Sequence, residues 1–90
     1  MKTIEREYKI LNKFGIHARP AALFVKTVGQ FQSDIQVIKD GNFASGRSIM
    51  SLLTLEGYCG STLKVSATGP DAEEALDAIG DLIKNKFFED

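Results

Sequence analysis

Ninety residues make one small domain, 1–90, able to bury about 60% of the surface its unfolded chain exposes. Eleven Lys and Arg stand against twelve Asp and Glu, so the net charge of −1 provides no electrostatic footprint for nucleic acid. No apolar run reaches the roughly 18 residues of a membrane span, and Met1–Tyr8 is too polar for a signal peptide. The only cysteine, Cys59, cannot close an internal disulfide and has no neighbouring base or metal-ligand partner, so it reads as a bystander thiol. These features lead us to expect a soluble cytoplasmic protein, monomeric, without membrane or nucleic-acid partners.

Thr3–Ile10 alternates. Ile4, Tyr8 and Ile10 share one face, with Arg6 as the exception, and Thr3, Glu5, Glu7 and Lys9 share the other; this predicts a half-buried strand. Asn12–Ile16 is a loop in which Gly15 supplies flexibility. Ala18–Gln30 reads as a helix, with Ala21, Val25 and Val28 at helical spacing and Ala22 and Leu23 widening the stripe. Pro20 suits its first turn, where a missing N–H has no intrahelical partner anyway. Ser33–Lys39 is a second strand, Asp40-Gly41 a tight-turn signal, and Phe43-Ala44 a short third strand. Ile49, Leu52 and Leu53 mark a short helix with Ser48 as its N-cap. Ser61–Thr68 alternates again, with Leu63, Val65 and Ala67 inward, and Gly69-Pro70 ends it. Asp71 and Glu74 have capping-box spacing before a last helix whose stripe runs Ala72, Ala75, Leu76, Ile79, Leu82, Ile83 and Phe87. The order β-α-β-β-α-β-α predicts an α+β fold, an antiparallel sheet with one wet face and helices on the other.

The only histidine, His17, lies directly before the first helix, with Ala18, Arg19 and Pro20 following. Alone, such a residue would more often cap a helix or pack at the surface. Here glycine, histidine, arginine and proline cluster within six residues. Imidazole is a nucleophile available near neutral pH. The Ala18 and Arg19 N–H groups, the positive end of the helix dipole and the Arg19 guanidinium would receive an anion. The pattern points to a histidine that carries phosphate. The chain has no metal-ligand spacing, no Gly-x-Ser-x-Gly elbow and no nucleotide-binding glycine loop. We therefore expect no cofactor and no metal, and phosphate obtained from another protein.

Gly15-Ile16-His17-Ala18-Arg19-Pro20-Ala21 resembles the active-site signature of the HPr family, the histidine-containing phosphocarriers of the bacterial phosphotransferase system. Gly46-Arg47-Ser48-Ile49-Met50 resembles a second signature of that family, and its serine lies 31 residues after the histidine. The resemblance spans nearly the whole chain and implies an open-faced β-sandwich of four antiparallel strands and three helices. It implies a carrier rather than an enzyme. His17 would take a phosphoryl group on Nδ1 from phospho-enzyme I, which draws it from phosphoenolpyruvate, and pass it to a histidine of an EIIA domain.

Ser48 is at once a plausible N-cap and the residue matching the serine that an HPr kinase/phosphorylase modifies in many bacteria, with Ser45 a weaker rival. A phosphate there would repel acidic partners and could engage a transcriptional regulator. Arg47 stands where lysine is common in the family. Ile49, Met50, Leu52, Leu53 and Leu55 are too many apolar side chains for one face of a short helix. Ile49, Met50 and Leu53 are therefore candidate docking residues. Two alternatives remain open. Phe87-Phe88-Glu89-Asp90 looks somewhat like NPr, the carrier of the nitrogen-related branch. A binding module without turnover would not need His17.

Overall fold

Strand alternation and helical stripes resolve into seven elements in the computed structural model, which describes residues 2–89. Met1 and Asp90, the two ends of the expected domain, lie outside the described residues. The elements are β1 (Thr3–Lys9), α1 (Ala18–Val28), β2 (Asp34–Lys39), β3 (Asn42–Ser45), α2 (Ile49–Thr54), β4 (Thr62–Thr68) and α3 (Ala72–Lys84), with a 3₁₀ turn at Lys86–Phe88. The strands form one antiparallel sheet in the order β1-β4-β2-β3. Register places Ile4 and Ile35 on either side of Ala67, and Val37 opposite both Val65 and Ala44. Those apolar residues face α1 and α3, where Ala21, Phe24, Val28, Leu76 and Ile79 complete the core. Thr3, Glu5, Glu7, Thr62 and Lys64 cover the open face. The predicted order and class of fold are those observed. Among the described residues no helix is long and apolar enough to cross a membrane.

Arg6, out of pattern in its strand, points to the helix side and donates to the Asp77 carboxylate of α3 at 2.6 Å. Tyr8 donates from its hydroxyl to the Leu76 carbonyl oxygen at 2.8 Å. The Asp40-Gly41 turn has φ of 51° and 81°, both left-handed, as a two-residue hairpin requires.

Three local expectations need correction. Helix α1 ends at Val28, not Gln30, and its buried stripe runs through Phe24, while Ala22 is exposed. A helix face is set by what it packs on, and here Phe24 fills the sheet side. Helix α3 ends at Lys84; Phe87 is still buried, but through residues of positive φ in the following turn. Finally, Asp71 does not cap its own helix. Its carboxylate accepts from the Gln32 and Ser33 N–H groups, both at 2.9 Å, and from the Ser33 hydroxyl. Three donors across the chain outcompete one local amide.

Candidate functional site

The loop from Ile10 to His17 is mounted on the Gly57–Ser61 loop by backbone. Ile10 N–H donates to the Ser61 carbonyl at 2.9 Å, Gly60 N–H to the Ile10 carbonyl at 2.8 Å, and Ile16 N–H to the Gly57 carbonyl at 2.7 Å. Gly15 has φ +65°, and a Cβ there would fall 2.2 Å from the Gly57 oxygen. Its glycine character serves this contact between two backbones of the same chain. Asn12, buried in the loop, donates from Nδ2 to the Gly15 carbonyl at 2.7 Å.

His17 is the N-cap of α1 with φ −95° and ψ −170°, and its side chain makes no capping bond. The backbone there is extended, and 43% of the side chain is exposed. The Ala18 and Arg19 N–H groups have no acceptor among the described residues; the first turn closes with Ala21 N–H donating to the His17 carbonyl at 3.0 Å. Pro20, lacking an N–H, is buried in that turn. Arg19 is exposed, and its guanidinium makes no hydrogen bond among the described residues, so it is free to turn toward an arriving anion. The structure thus brings His17, Ala18, Arg19 and Pro20 together at one helix start.

Two residues absent from the sequence expectations complete the surroundings. Phe14, 69% exposed, meets the His17 ring edge-on at a centroid distance of 6.2 Å. Glu89, from the far end of the chain, places Oε1 and Oε2 at 3.1 and 3.3 Å from His17 Nε2. Asn12 Nδ2 also donates to Glu89 Oε1 at 2.8 Å. That donation first, then the His17 ring, holds the Glu89 carboxyl below the usual carboxylate range, with Arg19 adding to the effect. Nothing near Glu89 in the sequence announces this contact. A polar residue in an otherwise solvated loop, Asn12, was the only signal available. No group of three His, Cys, Asp or Glu suited to a metal occurs among the described residues.

Ser48 caps α2 as its position suggested, its Oγ accepting from Ser51 N–H at 3.1 Å. Arg47 is engaged elsewhere, donating to the Phe31 and Ser33 carbonyl oxygens at 3.0 and 3.1 Å. Of the apolar side chains in and just after α2, Leu52 and Leu55 are buried and Leu53 is half-buried against the core. Ile49 and Met50 remain 38% and 73% exposed. Cys59 is exposed.

An open-faced sandwich with an uncapped histidine at a free helix start has the build of a small phosphocarrier. The family model for the HPr component phosphorylation site of the phosphotransferase system matches residues 4–85. The phosphocarrier protein HPr of Treponema pallidum (strain Nichols) is 39% identical over 87 residues, which cover 97% of this chain and 99% of that protein. The multiphosphoryl transfer protein of Escherichia coli O157:H7 is 43% identical over 83 residues, covering 89% of this chain and 22% of that longer protein. The crystal structure of HPr-C-His from Thermoanaerobacter tengcongensis superposes with a TM-score of 0.92 at 48% identity, covering 100% of this chain and 99% of the other. The chain belongs to the HPr family, the phosphocarriers of the phosphotransferase system.

Proposed function

We propose that His17 is the phosphoacceptor of this carrier. It takes a phosphoryl group from phospho-enzyme I on Nδ1 and passes it to an EIIA domain, while the protein itself turns nothing over. The observation that carries this reading is the His17 ring: half-exposed at a helix start, it makes no capping bond, and Nδ1 has no hydrogen-bond partner among the described residues. Two N–H groups without a partner among the described residues and the exposed charge of Arg19 lie beside it to receive phosphate oxygens. Exposed Ile49 and Met50, with Leu53 behind them, supply an apolar docking surface for both partners. The carrier works in the cytoplasm as a monomer of one domain. Ser48, capping a helix of its own, is the site of kinase regulation, and a phosphate there adds negative charge near the docking surface.

Double labelling tests both sites. Phosphoenolpyruvate with enzyme I will introduce one acid-labile phosphate, absent from His17→Ala; label persisting in that variant overturns the assignment. ATP with HPr kinase/phosphorylase will introduce an acid-stable phosphate absent from Ser48→Ala. No incorporation by an active kinase leaves Ser48 a cap alone. Offering the labelled protein glucose-type and nitrogen-type EIIA acceptors decides the branch. We expect the carbohydrate acceptor to be preferred, and the reverse preference identifies an NPr-type carrier.

A further inference from the structure

The His17 ring is held from the far end of the chain. Glu89 lies within hydrogen-bonding distance of Nε2 and of nothing else on the ring. A carboxylate only accepts, so this bond requires the hydrogen to sit on Nε2. In a neutral imidazole the other nitrogen then carries the lone pair, and the partner of one ring nitrogen sets the state of the other. Glu89 is itself anchored. Asn12 directs both N–H groups of its amide outward, one to the Gly15 carbonyl and one to Glu89, while its own Oδ1 stays buried without a donor. Turning the amide over would satisfy Oδ1 no better, since both neighbours are acceptors. A buried amide that leaves its acceptor unpaired costs free energy, which fits a side chain whose task is to hold these two oxygens.

We propose that Glu89, anchored by Asn12, is a positioning residue for His17: it keeps the proton on Nε2 and so keeps the Nδ1 lone pair free for phosphoryl transfer. The inference rests on the reading of His17 as phosphoacceptor and adds to it the control of its tautomer. The chemistry balances without moving that proton. On acceptance the Nδ1 lone pair forms the N–P bond, and the bond from phosphorus to the phosphoprotein donor breaks with its electron pair going to the donor. The ring, still protonated on Nε2, becomes cationic and lies against the Glu89 carboxylate. On donation the N–P electron pair returns to Nδ1 and a neutral Nε2–H imidazole leaves. Among the described residues, the His17 ring and Arg19 are the charged or chargeable groups that act on the Glu89 carboxylate. Glu89 lies on the Nε2 side of the ring, and Nδ1 has no hydrogen-bond partner among the described residues.

Glu89→Gln and Glu89→Ala separate the two effects. Glutamine keeps an acceptor for Nε2–H without the charge, and alanine removes both. Imidazole 15N shifts are read at about pH 8.5, two units above the ordinary histidine range. They should show the Nε2–H form in the native protein and in Glu89→Gln, and a detectable share of the Nδ1–H form in Glu89→Ala. Transfer from phospho-enzyme I should slow about threefold in Glu89→Gln, as expected for a partly exposed charge pair. In Glu89→Ala it should slow about tenfold, the scale of one charge-assisted hydrogen bond. An unchanged tautomer in Glu89→Ala, or transfer as fast as or faster than native in either variant, overturns the proposal. Absence of label on native His17 with active enzyme I overturns the phosphoacceptor reading instead, and the tautomer measurement stands apart from that outcome.

Discussion

Gly15 is the residue on which the geometry of the site turns. Its φ of +65° lies where an L side chain is strained, and a Cβ would sit 2.2 Å from the Gly57 oxygen and 2.7 Å from the Tyr58 Cα, both backbone atoms. Neither neighbour can swing away as a flexible side chain would. Gly15→Ala therefore combines a left-handed backbone penalty with overpacking, together about 2–4 kcal/mol. We expect a lower urea midpoint and slower phosphorylation of His17 in the same variant, because the Ile16–Gly57 bond must stretch. An unchanged midpoint would show that the two loops can part at little cost. The residues of this site were unevenly legible. His17, Ala18, Arg19 and Pro20 are contiguous, so their chemistry is visible in a string of letters. Glu89 reaches His17 across 72 positions, and Phe14 is an aromatic in a loop. No periodicity connects either of them to the histidine.

At the scale of elements, the join between α1, β2 and α3 depends on Asp71. The Ser33 hydroxyl, then the Gln32 N–H, pull its carboxyl below the usual carboxylate value. The sign of the pH effect follows. A lowered folded-state value means that the native protein binds this proton less readily than the unfolded chain. The stabilisation is complete above the ordinary carboxylate range and is lost as pH falls through the native value. Asp71→Asn should accordingly destabilise the protein at about pH 7 and much less at about pH 3, narrowing the gap between the urea midpoints. An equal loss at both pH values would assign the effect to shape rather than charge. Arg47 braces the same region from the other side through Phe31 and Ser33. The elements themselves were readable because β1, β4 and α3 follow their periods closely. The Asp71-Glu74 spacing misled because capping boxes are local patterns, and the donors that captured Asp71 lie 38 and 39 positions away.

For the whole molecule, the order β1-β4-β2-β3 puts β4 between two partners and leaves β3 on an edge, where its four residues pair only with β2. Amides of Val65 and Ala67 lie in the part of β4 paired on both sides and covered by the helices. Native-state hydrogen exchange should find its greatest protection there and open Asn42–Ser45 at lower free energy. Comparable protection in β3 would mean that the sheet opens only as a unit. Sheet order was not legible, since alternation tells which face a strand buries but not which strand lies beside it. The compatibility of α+β element order with an open-faced sandwich came from the helices, each with one apolar stripe to cover.

The mounting of the histidine loop has one more consequence. Ile10 and Ile16 are tied to Gly57, Gly60 and Ser61 by main-chain hydrogen bonds, which any residue but proline can make. The path of the loop is thus uncoupled from most of the exposed side chains on it. Lys13 and Tyr58 can be exchanged to suit a different partner without touching these main-chain bonds, and recognition can diversify while the loop stays where it is.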